Sequence, residues 1–118
     1  MRTRKLKYLF LFVSVTLALC SSCKRQKVQI VGDWVVPAKD MSRAEGFGLG
    51  QGGIAATINN STVQYARWSL KKRRLVLEGI RFEEGHVHQF SDTMMVRKLT
   101  EKSLVLQHDS VVMKMRRL

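Results

Sequence analysis

The sequence predicts an all-β chain, a small antiparallel up-and-down barrel of about eight strands preceded by a signal peptide. Three observations predict it. Beyond residue 27, short β-branched or aliphatic runs alternate with turn chemistry at close spacing, which is the pattern of a meander. No stretch there sustains a 3.6-residue apolar period, and Pro37 is the one proline in 118 residues. At the N-terminus, Arg2, Arg4, Lys5 and Lys7 precede an apolar run from Tyr8 to Leu19 and then small residues, the order of a secretory signal.

The apolar run is short of the roughly 20 residues that a spanning helix needs, so export is expected rather than a retained span. The formal charge of +12 mixes two regions. Residues 1–27 hold seven cations and no acid, whereas residues 28–118 hold 14 basic and nine acidic residues. More than half of the excess thus belongs to the N-terminal segment, and an exported chain makes nucleic acid a poor partner.

Cys20 and Cys23 have the spacing of a redox pair or half a zinc site. A redox pair is expected beside a βαβ unit, and none follows. Zinc needs four ligands, and the other soft donors, His86, His88 and His108, are all distant in sequence. Ser21-Ser22-Cys23 instead resembles the end of a bacterial lipoprotein signal, whose small residues precede the acylated cysteine; Leu19 before Cys20 does not fit. The resemblance implies a signal peptide at 1–22, a diacylglyceryl thioether on Cys23, and a basic tether at 23–27. Several acyl chains would make that anchor stable where one is marginal.

The elements follow in order. A first strand at 28–36 places Ile30, Gly32, Trp34 and Val36 on one face. The longer connection from Pro37 to Glu45 holds a turn of helix or lies as a flap. Strands at 46–50 and 53–58 flank Gly50-Gln51-Gly52-Gly53, which supplies the positive φ of a tight hairpin. Asn59-Asn60-Ser61 tolerates the left-handed region and bonds its own backbone. A strand at 63–70 aligns Trp68 with Leu70, and one at 74–82 aligns Leu75 with Leu77, with Lys71 to Arg74 as the polar tip between them. Glu83-Glu84-Gly85 leads to a strand at 86–98, where Phe90, Met94 and Val96 share a face. Asp92 falls among them and predicts a bulge or a polar niche. Thr100-Glu101-Lys102 and His108-Asp109 bound a strand at 103–108 with Leu104 and Leu106. The last strand, 110–117, aligns Val111, Met113 and Met115. Eight such strands must curl to bury one face each, and closing the sheet removes its edges. A barrel this small buries about 60–65% of its surface and leaves little interior volume.

Gly32-Asp33-Trp34 in the first strand, followed by a meander, resembles a lipocalin. The resemblance implies that Gly32 and Trp34 close one barrel end, with Arg116, or its neighbour Arg117, over the indole ring by cation–π contact. It also implies that residues 37–45 cover the open end. More closely, residues 28–118 resemble the small lipocalin-like lipoproteins of Bacteroides-type bacteria. The resemblance rests on IVGDWVVP at 30–37, GFGLGQGGIAATIN at 46–59, YARWSL at 65–70 and FSDTMMVRKLTEKSLVL at 90–106. In such lipoproteins acidic residues soon after the cysteine resemble a surface-export tag. Lys24-Arg25 is the opposite, so the expected address is the outer membrane, lipid-anchored, on the periplasmic face.

Candidate sites are then few. Trp34, Phe47, Trp68, Phe90 and Met94 either line an apolar pocket at the barrel mouth, with His88 at its rim, or fill the core. His86 and His88 point to one face without an evident third ligand, so no metal is expected. Lys71, Lys72, Arg73 and Arg74 form a basic tip suited to an anionic partner (phosphate-bearing lipid, an envelope polymer or an acidic protein) or a solvated turn. Gly46 to Gly53 lacks the Gly-Lys-Ser/Thr ending of a phosphate loop. Glu83, Glu84 and Asp92 complete no nucleophile–base–acid set, and neither an enzyme nor a cofactor is expected. The expected function is a lipid-anchored envelope protein that binds a small apolar or amphipathic ligand. The alternative is a packed barrel acting as an envelope protein-interaction or inhibitor module.

Overall fold

The computed structural model describes residues 29–118; the expected signal peptide, the expected acylation site at Cys23 and the expected tether to residue 27 lie outside these residues. Gln29 and Ile30 are helical, and the chain then enters eight strands. These are β1 (Gly32–Val35), β2 (Gly46–Leu49), β3 (Ala55–Ile58), β4 (Val63–Lys71), β5 (Arg74–Glu83), β6 (His86–Leu99), β7 (Ser103–His108) and β8 (Val111–Arg117). They form one sheet in the order β3-β2-β1-β8-β7-β6-β5-β4, with all pairs antiparallel.

Every laddered pair joins strands adjacent in sequence except β1–β8, where Trp34 faces Arg117 and Val35 faces Arg116. That pairing curls the meander and brings β3 toward β4. Between these two, among the described residues, the ladder shrinks to an isolated bridge, Ile54 with Arg67. A side chain supplements it: the Tyr65 amide donates to Thr57 Oγ1 at 2.8 Å. The result is an eight-stranded barrel closed everywhere but along this seam.

Each strand expected from sequence is present, and the largest boundary difference lies at the first. It begins at Gly32 rather than 28 because Ile30 serves as a plug. Ile30 is fully buried, and its carbonyl accepts the Trp34 indole N–H at 2.8 Å. The apolar period through Ile30 thus reports a capped barrel end, not a strand. Val36, expected on the Trp34 face, is exposed because the strand ends at Val35. Val111, expected inward, is also exposed, at the first position of β8.

The 37–45 connection contains a 3-10 turn at Met41–Arg43, capped by Asp40, whose Oδ1 accepts from the Ser42 amide at 3.1 Å. Asn59 Nδ2 donates to the Ser42 and Ala44 carbonyls at 2.9 and 3.0 Å, fastening this connection to the β3–β4 turn. Asn59 itself has φ 53°, and Asn60 Oδ1 accepts from the Thr62 amide, as asparagine chemistry allows. Gly52 and Gly53 carry the positive φ of the β2–β3 connection. Ladder bulges fall at Tyr65/Arg67 in β4 and Val96/Lys98 in β6.

Alternation sends Trp34, Phe47, Leu49, Trp68, Leu70, Leu75, Leu77, Met94, Val96, Leu104, Leu106 and Met115 into one core cluster with Ile30 and Ala55. The strands are unequal. β1, β2 and β3 have four residues each, whereas β5 and β6 have 10 and 14. The far half of the β5–β6 hairpin therefore rises beyond the core, and Phe82 and Val87, paired across it, are exposed. The barrel has two distinct ends. One, the plugged end, carries Gln29–Val31 and the connections at 50–54, 72–73 and 100–102. The mouth carries those at 36–45, 59–62, 84–85 and 109–110.

Candidate functional site

The plugged end is fixed by an arginine. Arg117 lies over the Trp34 ring with its guanidinium carbon 4.2 Å from the centroid. Its Nη1 donates to the Val31 carbonyl at 2.8 Å, Nη2 to Gln29 at 2.6 Å and Nε to Glu101 at 2.6 Å. A planar guanidinium with fixed donors meets three carbonyls and a ring face at once, which an ammonium cannot do. Gly32 makes room. Its φ is +145°, and a Cβ there would collide with the Arg117 guanidinium. The closing arginine is thus Arg117 and not Arg116: Trp34 pairs with residue 117, and the neighbouring position faces the other way, leaving Arg116 exposed.

Above this plug the barrel is filled. Trp34, Phe47 and Met94 are buried in the core cluster, and Trp68 donates its indole N–H to the Gly50 carbonyl at 2.7 Å. Toward the mouth an aromatic row crosses the sheet. Phe47 meets Tyr65 edge-on at 5.6 Å, and Tyr65 meets Phe90 at 5.8 Å. Tyr65 and Phe90 sit on β4 and β6, two strands apart, with Gly79 of β5 opposite both. Without a side chain at 79 the two rings touch across the intervening strand. A Cβ there would also strike the Gln64 carbonyl at the β4 bulge.

Polar groups gather around this row. Arg81 stacks on Phe90 at 4.9 Å and places Nη2 3.5 Å from Asp92 Oδ2, with Glu83 at 4.0 Å from its Nε. Asp92 therefore occupies a polar niche, the second of the two possibilities its position raised. Burial pushes the Tyr65 phenol above its usual pKa, and the charges of Asp92 and Glu45 add to this while Arg81 opposes it. The phenol is a neutral donor at the mouth. His88 is exposed opposite Arg81, and its ring lies 6.3 Å from that of His86. Among the described residues no three His, Cys, Asp or Glu side chains are grouped to hold a metal ion.

The six residues expected to line a mouth pocket are consequently divided. Trp34, Phe47 and Met94 are core, Phe90 is half-buried at the mouth, and His88 stands at the rim. Trp68 borders a different feature, an open apolar depression of about 520 Å³ at the plugged end of the seam. Val31, Gly52, Gly53, Trp68 and Leu70 form its walls. It exists because β3 and β4 do not zip together there and because the Gly52-Gly53 turn presents no side chains. Arg81, Tyr65 and the seam depression were missed from sequence; only the Gly-rich turn beside a tryptophan strand hinted at the last. The basic tip at Lys71, Lys72, Arg73 and Arg74 is exposed on the same end of the barrel.

A small up-and-down antiparallel barrel, plugged by tryptophan under an arginine, defines the class. A family model described as lipocalin-like matches residues 26–117, and the chain belongs to that family. It is similar to the crystal structure of a lipocalin-like protein from Bacteroides thetaiotaomicron VPI-5482, with a TM-score of 0.70 and 31% sequence identity over 75% of this chain and 96% of that one. No curated protein is significantly similar to the chain.

Proposed function

We propose that the chain is a lipid-anchored envelope protein that binds a small apolar or amphipathic molecule. The observation that carries this reading is the apolar depression beside Trp68, of about 520 Å³ and therefore within the size range of small-molecule sites. Lipocalin-like architecture supports a binding role of this kind. Val31, Trp68 and Leu70 offer hydrocarbon and an indole face, while Gln51 and Ser69 on the same walls offer polar groups. The interior itself is packed, so the ligand is held at the seam rather than swallowed by the barrel.

Two measurements test the reading. Native mass spectrometry of the protein purified from its host is expected to find a co-purifying small molecule whose retention falls in a Trp68→Ala variant. Its repeated absence from folded wild-type protein would count against ligand carriage. For the anchor, metabolic labelling with a fatty acid is expected to mark the wild-type chain and not a Cys23→Ala variant. A label that persists in that variant removes the lipidation claim.

The packed-barrel interaction module draws on a separate observation, the exposed Phe82–Val87 pair at the β5–β6 hairpin tip. This pair lies at the mouth, remote from the basic 71–74 tip. The two features thus do not compose a single docking patch, and ligand binding is the better-supported reading.

A further inference from the structure

The barrel's charge is sorted along its axis. Of 14 cations from residue 28 on, nine sit at the plugged end: Lys71, Lys72, Arg73 and Arg74 at the β4–β5 tip, Arg97 and Lys98 at the end of β6, Lys102 in the next turn, and Arg116 and Arg117 at the end of β8. Arg117 is engaged with carbonyls, which leaves eight facing outward. The acids there are Glu101 and, one step into β1, Asp33. The four connections at the mouth carry the opposite balance, with Asp40, Glu45, Glu84 and Asp109 against Lys39 and Arg43.

The chain also enters the barrel at the basic end. Gln29 lines a crevice of about 110 Å³ together with Lys72, Arg73, Arg97 and Lys98. Leu70 is shared between this crevice and the apolar depression, so the cationic cluster and the apolar walls are contiguous. We propose that this plugged end is a docking surface for an anionic lipid bilayer, seating the barrel end-on with its mouth pointing away from the membrane. Lysines and arginines at such a surface meet lipid phosphates, and partly buried Val31 adjoins them, with nearly buried Leu70 and Trp68 flooring the depression behind it.

A short tether keeps this contact within reach if Cys23 is acylated, and to that extent the inference rests on the anchoring proposed above. Gln29 lies six residues beyond Cys23, and a fully extended chain of six steps spans about 20 Å. The plugged end is then held close to the bilayer, and thermal motion within that reach repeatedly brings its cations within the ~8 Å over which surface charges act at physiological salt. The charge gradient selects which face turns down: cations are drawn to anionic lipid, and the acidic mouth is repelled.

The test uses the chain from Lys24 to Leu118, so that no acyl group contributes; the whole core cluster lies within it. Cosedimentation is measured with vesicles of phosphatidylcholine alone and of phosphatidylcholine with about one-third phosphatidylglycerol. Binding is expected only with the anionic vesicles and is expected to weaken with salt. A Lys71→Gln, Lys72→Gln, Arg97→Gln, Lys98→Gln variant, whose side chains are all exposed, is expected to lose about a hundredfold or more in partition. No binding by the wild-type chain, or equal binding by the variant, overturns the proposal. Orientation is read separately by an environment-sensitive fluorophore attached at Lys72→Cys or at Glu84→Cys. A bilayer signal from position 72 and not 84 is expected, and the reverse order overturns the end-on seating. Because no lipid anchor is present, failure here is distinct from failure of Cys23 acylation, which the fatty-acid label reads.

Discussion

Arg117 concentrates more of the barrel's architecture than any other single side chain. It joins β8 to the Gln29–Val31 segment and to the 100–102 turn while covering Trp34. Removing it strands three carbonyls and uncovers an indole, whereas Arg116 one residue earlier makes no comparable set. Arg117→Met is therefore expected to destabilise the fold by about 2–4 kcal/mol, and Arg116→Met by about 0.5 kcal/mol or less. Arg117→Lys should recover only part of the loss, since one ammonium cannot reach all three acceptors. Urea unfolding of the three variants checks this, and equal midpoints for the 116 and 117 variants would contradict the assignment. The sequence narrows the closing residue to two adjacent arginines because both lie at the end of the last strand. The choice between them was legible in the alternation of Val111, Met113 and Met115, which puts 117 and not 116 on the inward face, and the β1–β8 register sets it opposite Trp34.

At the scale of elements, the strands are unequal in length and unequal in partners. β5 is laddered to β6 along its whole length and to β4 from Arg74 to Arg81, whereas β3 and β4 each lack a full partner at the seam. Backbone amides of β3 and of seam-facing β4 are expected to exchange with solvent at least about tenfold faster than those of β5. Thr57→Val should accelerate the Tyr65 amide in particular and cost about 1 kcal/mol, because it deletes that amide's acceptor. Hydrogen exchange followed by NMR checks both, and uniform protection across the seam would contradict them. The eight strands were legible because each alternates apolar and polar residues between recognisable turns, as Leu75 and Leu77 or Leu104 and Leu106 illustrate. The seam was not, because a gap between two strands leaves no mark on either strand's own alternation. Ile30 misled for a related reason: an apolar residue two positions before Gly32 keeps strand period whether it extends the strand or turns beneath the barrel.

For the molecule as a whole, the sequence showed the basic run at 71–74 but not what surrounds it. Arg97, Lys98, Lys102 and Arg116 are scattered along the chain, and only the meander's folding returns them to the end from which Gln29 emerges. The mouth follows the same rule. Arg81 and Asp92 are 11 residues apart and meet across the β5–β6 ladder, so their pairing is a property of register rather than of motif.

The β1–β8 pairing carries one more consequence. Arg117 reaches back 86 and 88 residues to bond Val31 and Gln29, and the first strand finds one of its two ladder neighbours only in the eighth. A ribosome delivers these partners almost ninety residues apart. Until β8 has been synthesised, Trp34 lacks its cover and the sheet keeps an open edge on β1, so the nascent chain has no route to the finished barrel. Closure of the barrel then waits on β8, with the slow, long-range loop closure that such a topology demands.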